Sequence, residues 1–161
     1  MTTRFWLPVL LVAAFLAGMA PGAFAQGTNV WNAKTSGSFV TLRYGPIDER
    51  EKPVFLLSCL NGVNIAVLSV YMDFPERQPG DAITVKLTAG DQSTTVAGET
   101  AQEGGTGVIY GEAGDIAVKP ILKVLSEKGT VSMTSGEIGQ YLSEEGRAAA
   151  AAKFAKDCKL D

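Results

Sequence analysis

The residue types that usually carry chemistry are scarce in this 161-residue chain, which has no histidine and only two cysteines. Without imidazole there is no Ser-His-Asp or Cys-His nucleophile system, no histidine-containing zinc site, no histidine-ligated haem and no histidine pH sensor. The two thiols, Cys59 and Cys158, lie far apart in the chain. They lack the C-x-x-C spacing of dithiol redox centres and zinc ribbons. The types that remain are carboxylates, hydroxyls and lysines.

Paired carboxylates can hydrolyse a glycoside when an acid and a second carboxylate flank the bond a few ångströms apart. Asp48, Glu49 and Glu51 are close in sequence, but Arg50 and Lys52 are interleaved with them, which reads as a solvated, charge-compensated turn. The cluster does not match the D-x-[DN]-x-[DN]-G calcium loop either. Residues 103–107 (EGGTG) are glycine-rich, yet no G-K-[ST] follows and no helix opens there, so a flexible loop is expected instead of a phosphate cradle. Ser-Lys hydrolases need no histidine, but the chain contains no S-x-x-K. No catalytic residue, metal ligand or cofactor site is therefore expected, and the chain is predicted not to be an enzyme.

The elements that position these residues begin with an address. Residues 1–25 are predicted to be a cleavable signal peptide. Arg4 starts it, an apolar run over 5–20 is broken by Pro8 and Gly18, and Ala23 and Ala25 give the small-x-small pattern of a peptidase site. A stable membrane span needs about 20 apolar residues, so none is expected once the segment is removed. No cysteine stands at the cut to carry a lipid. Residues 26–161 are then one domain, periplasmic or secreted, with a net charge of −4, because Arg4 is the one charged residue removed from a total of −3. The remaining basic residues form no stripe, which argues against nucleic acid and anionic membrane surfaces as partners. In an oxidising compartment an even cysteine count predicts a Cys59–Cys158 bridge. Closing a loop of about 100 residues contributes roughly 4.7 kcal/mol on the chain-entropy view.

Periodicity supplies the rest. Phe39, Thr41 and Arg43 alternate with Val40, Leu42 and Tyr44, as in a half-buried strand. Residues 54–60 and 63–74 flank Asn61-Gly62, a strong hairpin pair. Both faces of the second run are apolar, which predicts a central core hairpin. Further strands are predicted over 82–88 (Ile83, Val85 and Leu87 inward), 93–97, 108–110, 131–134 and 138–142. Ile116, Ile121, Val124 and Leu125 recur at helical spacing, with Pro120 in the first turn. A last helix is expected from Ser143 as N-cap, with Glu144 and Glu145 in its first turn. Phe154 and Cys158, four residues apart, would face the sheet. The predicted fold is mainly β, a β-sandwich or small barrel, with a short helix and a C-terminal helix tied to the sheet by the disulfide.

A cysteine-ended strand after a proline (Lys52-Pro53 to Cys59), together with a late helix ending in Cys158, resembles small periplasmic proteins of uncharacterised function from alphaproteobacteria. It is more distantly similar to periplasmic accessory proteins associated with type VI secretion. Thr134-Ser135-Gly136-Glu137 faintly resembles the inhibitory loop of periplasmic lysozyme inhibitors. The export signal, the absence of histidine and the bridged layout together point to a non-catalytic protein that binds another envelope component, a protein or a glycan. Inhibition of a lysozyme-type hydrolase is the alternative, and carboxylate-based hydrolysis the more remote one. Trp31, Arg43, Tyr44 and Tyr110 are the interface candidates, being residue types enriched at binding hot spots. For Trp31 and Tyr44 the competing and favoured reading is cover for one end of the core.

Overall fold

Alternation in β2 (Phe39–Pro46) turns Val40, Leu42 and Tyr44 to one side, and those three are buried while Phe39, Thr41 and Arg43 are not. The same period shapes β1 (Asn29–Ser36), β3 (Phe55–Leu60), β4 (Val63–Val70) and β5 (Ala82–Ala89). It continues in β6 (Gln92–Gln102), β7 (Ile109–Ala113), β8 (Val131–Ser135) and β9 (Ile138–Leu142). The computed structural model describes residues 28–159; the expected signal peptide, residues 1–25, lies outside them. All ladders are antiparallel, and the nine strands form one curled, half-barrel sheet in the order β1-β2-β3-β4-β7-β6-β5-β8-β9. Of the two expected β forms this is the small barrel, opened on one side.

Two helices fill the concave side. The chain leaves β7, crosses beneath β6 and β5 as α1 (Val118–Ser126), and re-enters the sheet as β8 beside β5. Val118, Ile121, Val124 and Leu125 form the buried stripe of α1. In α2 (Arg147–Asp157) the stripe is Arg147, Ala150, Ala151 and Phe154, continued by Cys158. The alanines let α2 lie close to β1, β2 and α1. Glycine makes room where the concave surface is tightest: a Cβ at Gly111 would sit 2.5 Å from Ile83 Cδ1 and 2.9 Å from Val70 Cγ2.

The disulfide joins Cys59 on β3 to Cys158 at the end of α2, with Cα atoms 6.2 Å apart. Beside it, the Thr35 hydroxyl donates to Asp157 at 2.7 Å. Trp31 and Tyr44 are core residues, 8% and 7% exposed. Their rings pack at 4.9 Å, with Phe55 against the indole edge. The indole N–H donates to the Ser143 carbonyl at 2.8 Å, and the Ser143 N–H donates to the Tyr44 hydroxyl. Ser143 follows β9, so these bonds draw the last strand's end toward β1 and close one end of the half-barrel.

Two expectations are corrected here. The last helix starts at Arg147, not after Ser143, and no acidic residue lies in its first turn. Gly146, at φ +75°, makes the turn into the helix, and Ser143 is instead engaged by Trp31 and Tyr44. The 63–74 run is not packed into the core on both faces: Ala66, Leu68, Val70 and Met72 face the core. On the other side Ile65 is half exposed and Val67 partly so, with the small Ser69 buried.

Arg147 is the least expected core residue, 1% exposed. Its guanidinium donates to the carbonyls of Leu125 (2.9 Å), Gly129 (2.7 Å) and Glu127, all at the C-terminal end of α1 and just beyond it. The Leu125 and Glu127 carbonyls are among the acceptors a helix end leaves unpaired, at the negative end of its dipole, and the Gly129 carbonyl lies just past that end. Burial pulls the guanidinium pKa down and nearby Glu144 opposes that pull.

Arg147→Met is expected to lower the unfolding free energy by about 3 kcal/mol in denaturant titration, because buried carbonyls lose charged donors. Arg147→Lys should recover only part of that, since one ammonium lacks the guanidinium's fork of donors. Replacing both cysteines by serine should cost about 4 kcal/mol in the same measurement. Peptide mapping without reductant should recover the Cys59–Cys158 pair.

Candidate functional site

The strand period that fills the core also decides what the convex side shows. Directly paired residues share a face, so the register places Phe39 beside Leu60, Thr41 beside Ser58, and Arg43 beside Leu56 on the outside. Val67 lies across from Ser58, and Ser69 across from Leu56. Ile65 continues that outer row. Phe39 is 61% exposed and Ile65 50%, while Leu56, Leu60 and Val67 are partly exposed. No element among the described residues covers this apolar strip across β2, β3 and β4.

The strip runs toward an aromatic pair. Tyr71, just after β4, stacks on Tyr110 of β7 with centroids 5.0 Å apart and planes 14° apart. Around it stand the Lys52–Glu103 ion pair, Thr106 and Glu112. Lys52 donates to the Thr106 hydroxyl at 3.1 Å, and that hydroxyl donates to Glu103. The Tyr110 hydroxyl donates to Glu112 at 3.3 Å. Burial pushes both phenols above their ordinary range, aided by the charge of Glu103 at Tyr71 and of Glu112 at Tyr110. Lys52 opposes the rise at Tyr71. Lys52 and Thr106, hydrogen-bonded to Glu103, hold its carboxyl below the usual range.

The four interface candidates separate. Tyr110 belongs to the aromatic pair at the end of the outer strip. Arg43 is on the outer face, but its guanidinium donates to the carbonyls of Pro46 (2.6 Å) and Glu51 (2.9 Å), holding the β2–β3 loop. Trp31 and Tyr44 are buried, because their polar tips are needed at Ser143, and they offer no surface to a partner. Sequence reading missed Phe39, Ile65 and Tyr71. Two apolar faces on one strand had signalled a surplus hydrophobic face, which was assigned to the core.

Two of the three acidic residues of the 48–51 turn are engaged locally: Asp48 by Arg50, and Glu49 by Lys34 (2.8 Å) and Asn32. The glycine-rich 103–107 segment closes on itself through Glu103 N–H to the Val108 carbonyl and Gly107 N–H to the Glu103 carbonyl. Another carboxylate pair, Glu99 and Glu112, lies directly opposed on β6 and β7. It borders a groove of about 330 Å³ lined by small residues including Gly80, Ala97 and Gly98. The groove is shallow and Glu99 is exposed, whereas a general acid at neutral pH needs shielding from water. Among the described residues no group of three or more acidic or cysteine side chains is placed to hold a metal, and no helix is long and apolar enough to cross a membrane. Comparison with protein-family models, curated proteins and solved structures finds no match for this chain.

The charges around Tyr71 set opposite pH limits. Glu103, with its pKa lowered in the fold, contributes stability that is present above about pH 4.3 and lost as pH falls through its folded value. Tyr71 and Tyr110, with pKa raised, contribute stability that is present below about pH 10 and lost as pH rises through their folded values. In Lys52→Met, NMR titration should move Glu103 up toward its ordinary value, and phenolate absorbance should move Tyr71 further up.

Proposed function

We propose that this chain is a non-catalytic protein of the periplasm, or a secreted one, which docks a protein component of the cell envelope on the outer face of β2, β3 and β4. The observation that carries this reading is the uncovered strip of Phe39, Leu60, Ile65 and Val67 ending at the Tyr71–Tyr110 pair. Contiguous exposed apolar surface with polar groups at its rim is characteristic of protein interaction sites, and aromatic side chains are enriched at their centres. A protein suits the strip better than a glycan, because Phe39, Leu60, Ile65 and Val67 offer apolar side chains without the hydrogen-bonding groups that sugar hydroxyls require. The intramolecular disulfide and the expected signal peptide support the compartment.

A second reading, inhibition of a lysozyme-type hydrolase, is favoured by one feature. Ser135, Gly136 and Glu137 lie at the β8–β9 hairpin tip, where Gly136 (φ +60°) and Glu137 are exposed. Purified protein added to a lysozyme assay tests it, and unchanged lysis dismisses it.

The docking reading is tested by photo-crosslinkers placed in living cells at positions 39 and 65, with position 95 on the outer face of β6 as control. One envelope protein should be captured at 39 and 65 and not at 95. Its capture should fall at least tenfold in Phe39→Asp and Ile65→Asp variants of unchanged melting temperature. Equal capture at all three positions, or turnover of a substrate that Glu99→Gln or Glu112→Gln abolishes, would sink the proposal.

A further inference from the structure

The two edges of the sheet are not alike. β1 carries Lys34, is tied to Glu49 through Asn32 and Lys34, and is flanked by α2. β9 has none of the devices that keep an edge from pairing: no charge, no proline and no bulge over Ile138–Leu142. No strand among the described residues lies beyond it. Gly139, Gln140 and Tyr141 are exposed, Tyr141 by 77%.

The hairpin fixes which backbone groups of β9 are free. Its two-residue turn makes Ser135 and Ile138 the closing pair. In such a turn the closing pair exchanges hydrogen bonds, and bonded and non-bonded pairs then alternate along the ladder. Ile138, Gln140 and Leu142 therefore bond to β8, and the N–H and C=O of Gly139 and Tyr141 point away from the sheet. These two residues are symmetric about Gln140. A second β9 laid antiparallel about a two-fold axis at Gln140 sets Gly139 against Tyr141 of the other copy, and Tyr141 against its Gly139. All four outward N–H groups and all four outward carbonyls then meet partners. One residue of slip would leave some of them unpaired.

Side chains agree with that register. Gly139 and Tyr141 lie on the outer face, across from Thr134 and Ser132. A Cβ at Gly139 would come within 3.0 Å of Thr134 Cγ2 and 3.2 Å of the Met133 carbonyl, so its own chain keeps the position small. The exposed ring of Tyr141 from the second copy would cover that notch, the cross-strand pairing of an aromatic with an edge glycine. No like charges oppose each other along the strand.

We infer that β9 is the contact of a two-fold symmetric homodimer, in which the sheets of two copies join edge to edge about Gln140. The contact is independent of the outer strip on β2, β3 and β4. Four hydrogen bonds and two tyrosines bury less than the roughly 1,200 Å² of stable complexes, so the dimer is weak, with Kd on the order of 100 µM.

Sedimentation equilibrium of the disulfide-intact protein up to about 1 mM should show reversible dimer. Amide exchange at Gly139 and Tyr141 should slow as concentration rises. Gln140→Lys sets like charges face to face at an exposed position and should abolish the dimer without changing melting. Mixing it with Gln140→Glu should restore a heterodimer at least as tight as the parent. Tyr141→Ser should weaken association roughly tenfold. A monomer throughout that range would overturn the inference. So would a dimer indifferent to Gln140→Lys, or protection of both amides in dilute monomer, which would mean the chain covers its own edge.

Discussion

Arg147 is the point on which the two halves of this fold depend. A buried guanidinium without a carboxylate at its side would normally be expelled to water or cost several kcal/mol. It is tolerated here because three carbonyls at the end of α1 converge on it. Those carbonyls would themselves be costly to bury without donors. Each requirement answers the other, and the pair joins the end of the crossover helix to the start of the terminal helix. Once α2 is set by that joint, Phe154 falls into the core and Cys158 arrives beside Cys59.

The half-barrel is closed by different means at different places. Covalent closure ties β3 to the end of α2, and hydrogen bonds from Trp31 and Tyr44 hold Ser143 near β1. Neither is a strand ladder, so among the described residues no strand pairs beyond β1 or β9. Its concave side is packed with helix, and its convex side is left with more apolar surface than solubility favours. On β4 the same residues that suit a strand produce that surface, because β-branched Ile65 and Val67 stabilise a pleated strand wherever they point.

Beside the apolar strip, burial raises the Tyr71 and Tyr110 pKa values, with help from the charges of Glu103 and Glu112, and hydrogen bonds from Lys52 and Thr106 lower that of Glu103. These groups form a polar end to an apolar face. Glu112 belongs both to that polar end, where it accepts from the Tyr110 hydroxyl, and to the open groove that it shares with the opposed Glu99.

Much of this protein was legible in its residues. Period-2 alternation located the strands, Asn61-Gly62 a hairpin, and helical spacing the stripe of α1, since these signals are local and each needs only its own segment. The absence of histidine and the two cysteines bounded the chemistry before any fold was known. The start of α2 was misplaced because Ser143 obeyed a local capping rule that a distant indole overrode. Sequence alone left Trp31 and Tyr44 between surface anchor and core cover for a similar reason: whether an aromatic ring is wet or dry depends on what packs over it. The burial of Arg147 and the outer position of Ile65 were equally hidden. Sequence by itself determined the elements and the limits on chemistry. Which face met the helices, which edge stayed open and which polar groups found partners were decided by tertiary structure alone, because each depends on residues tens of positions away in the chain.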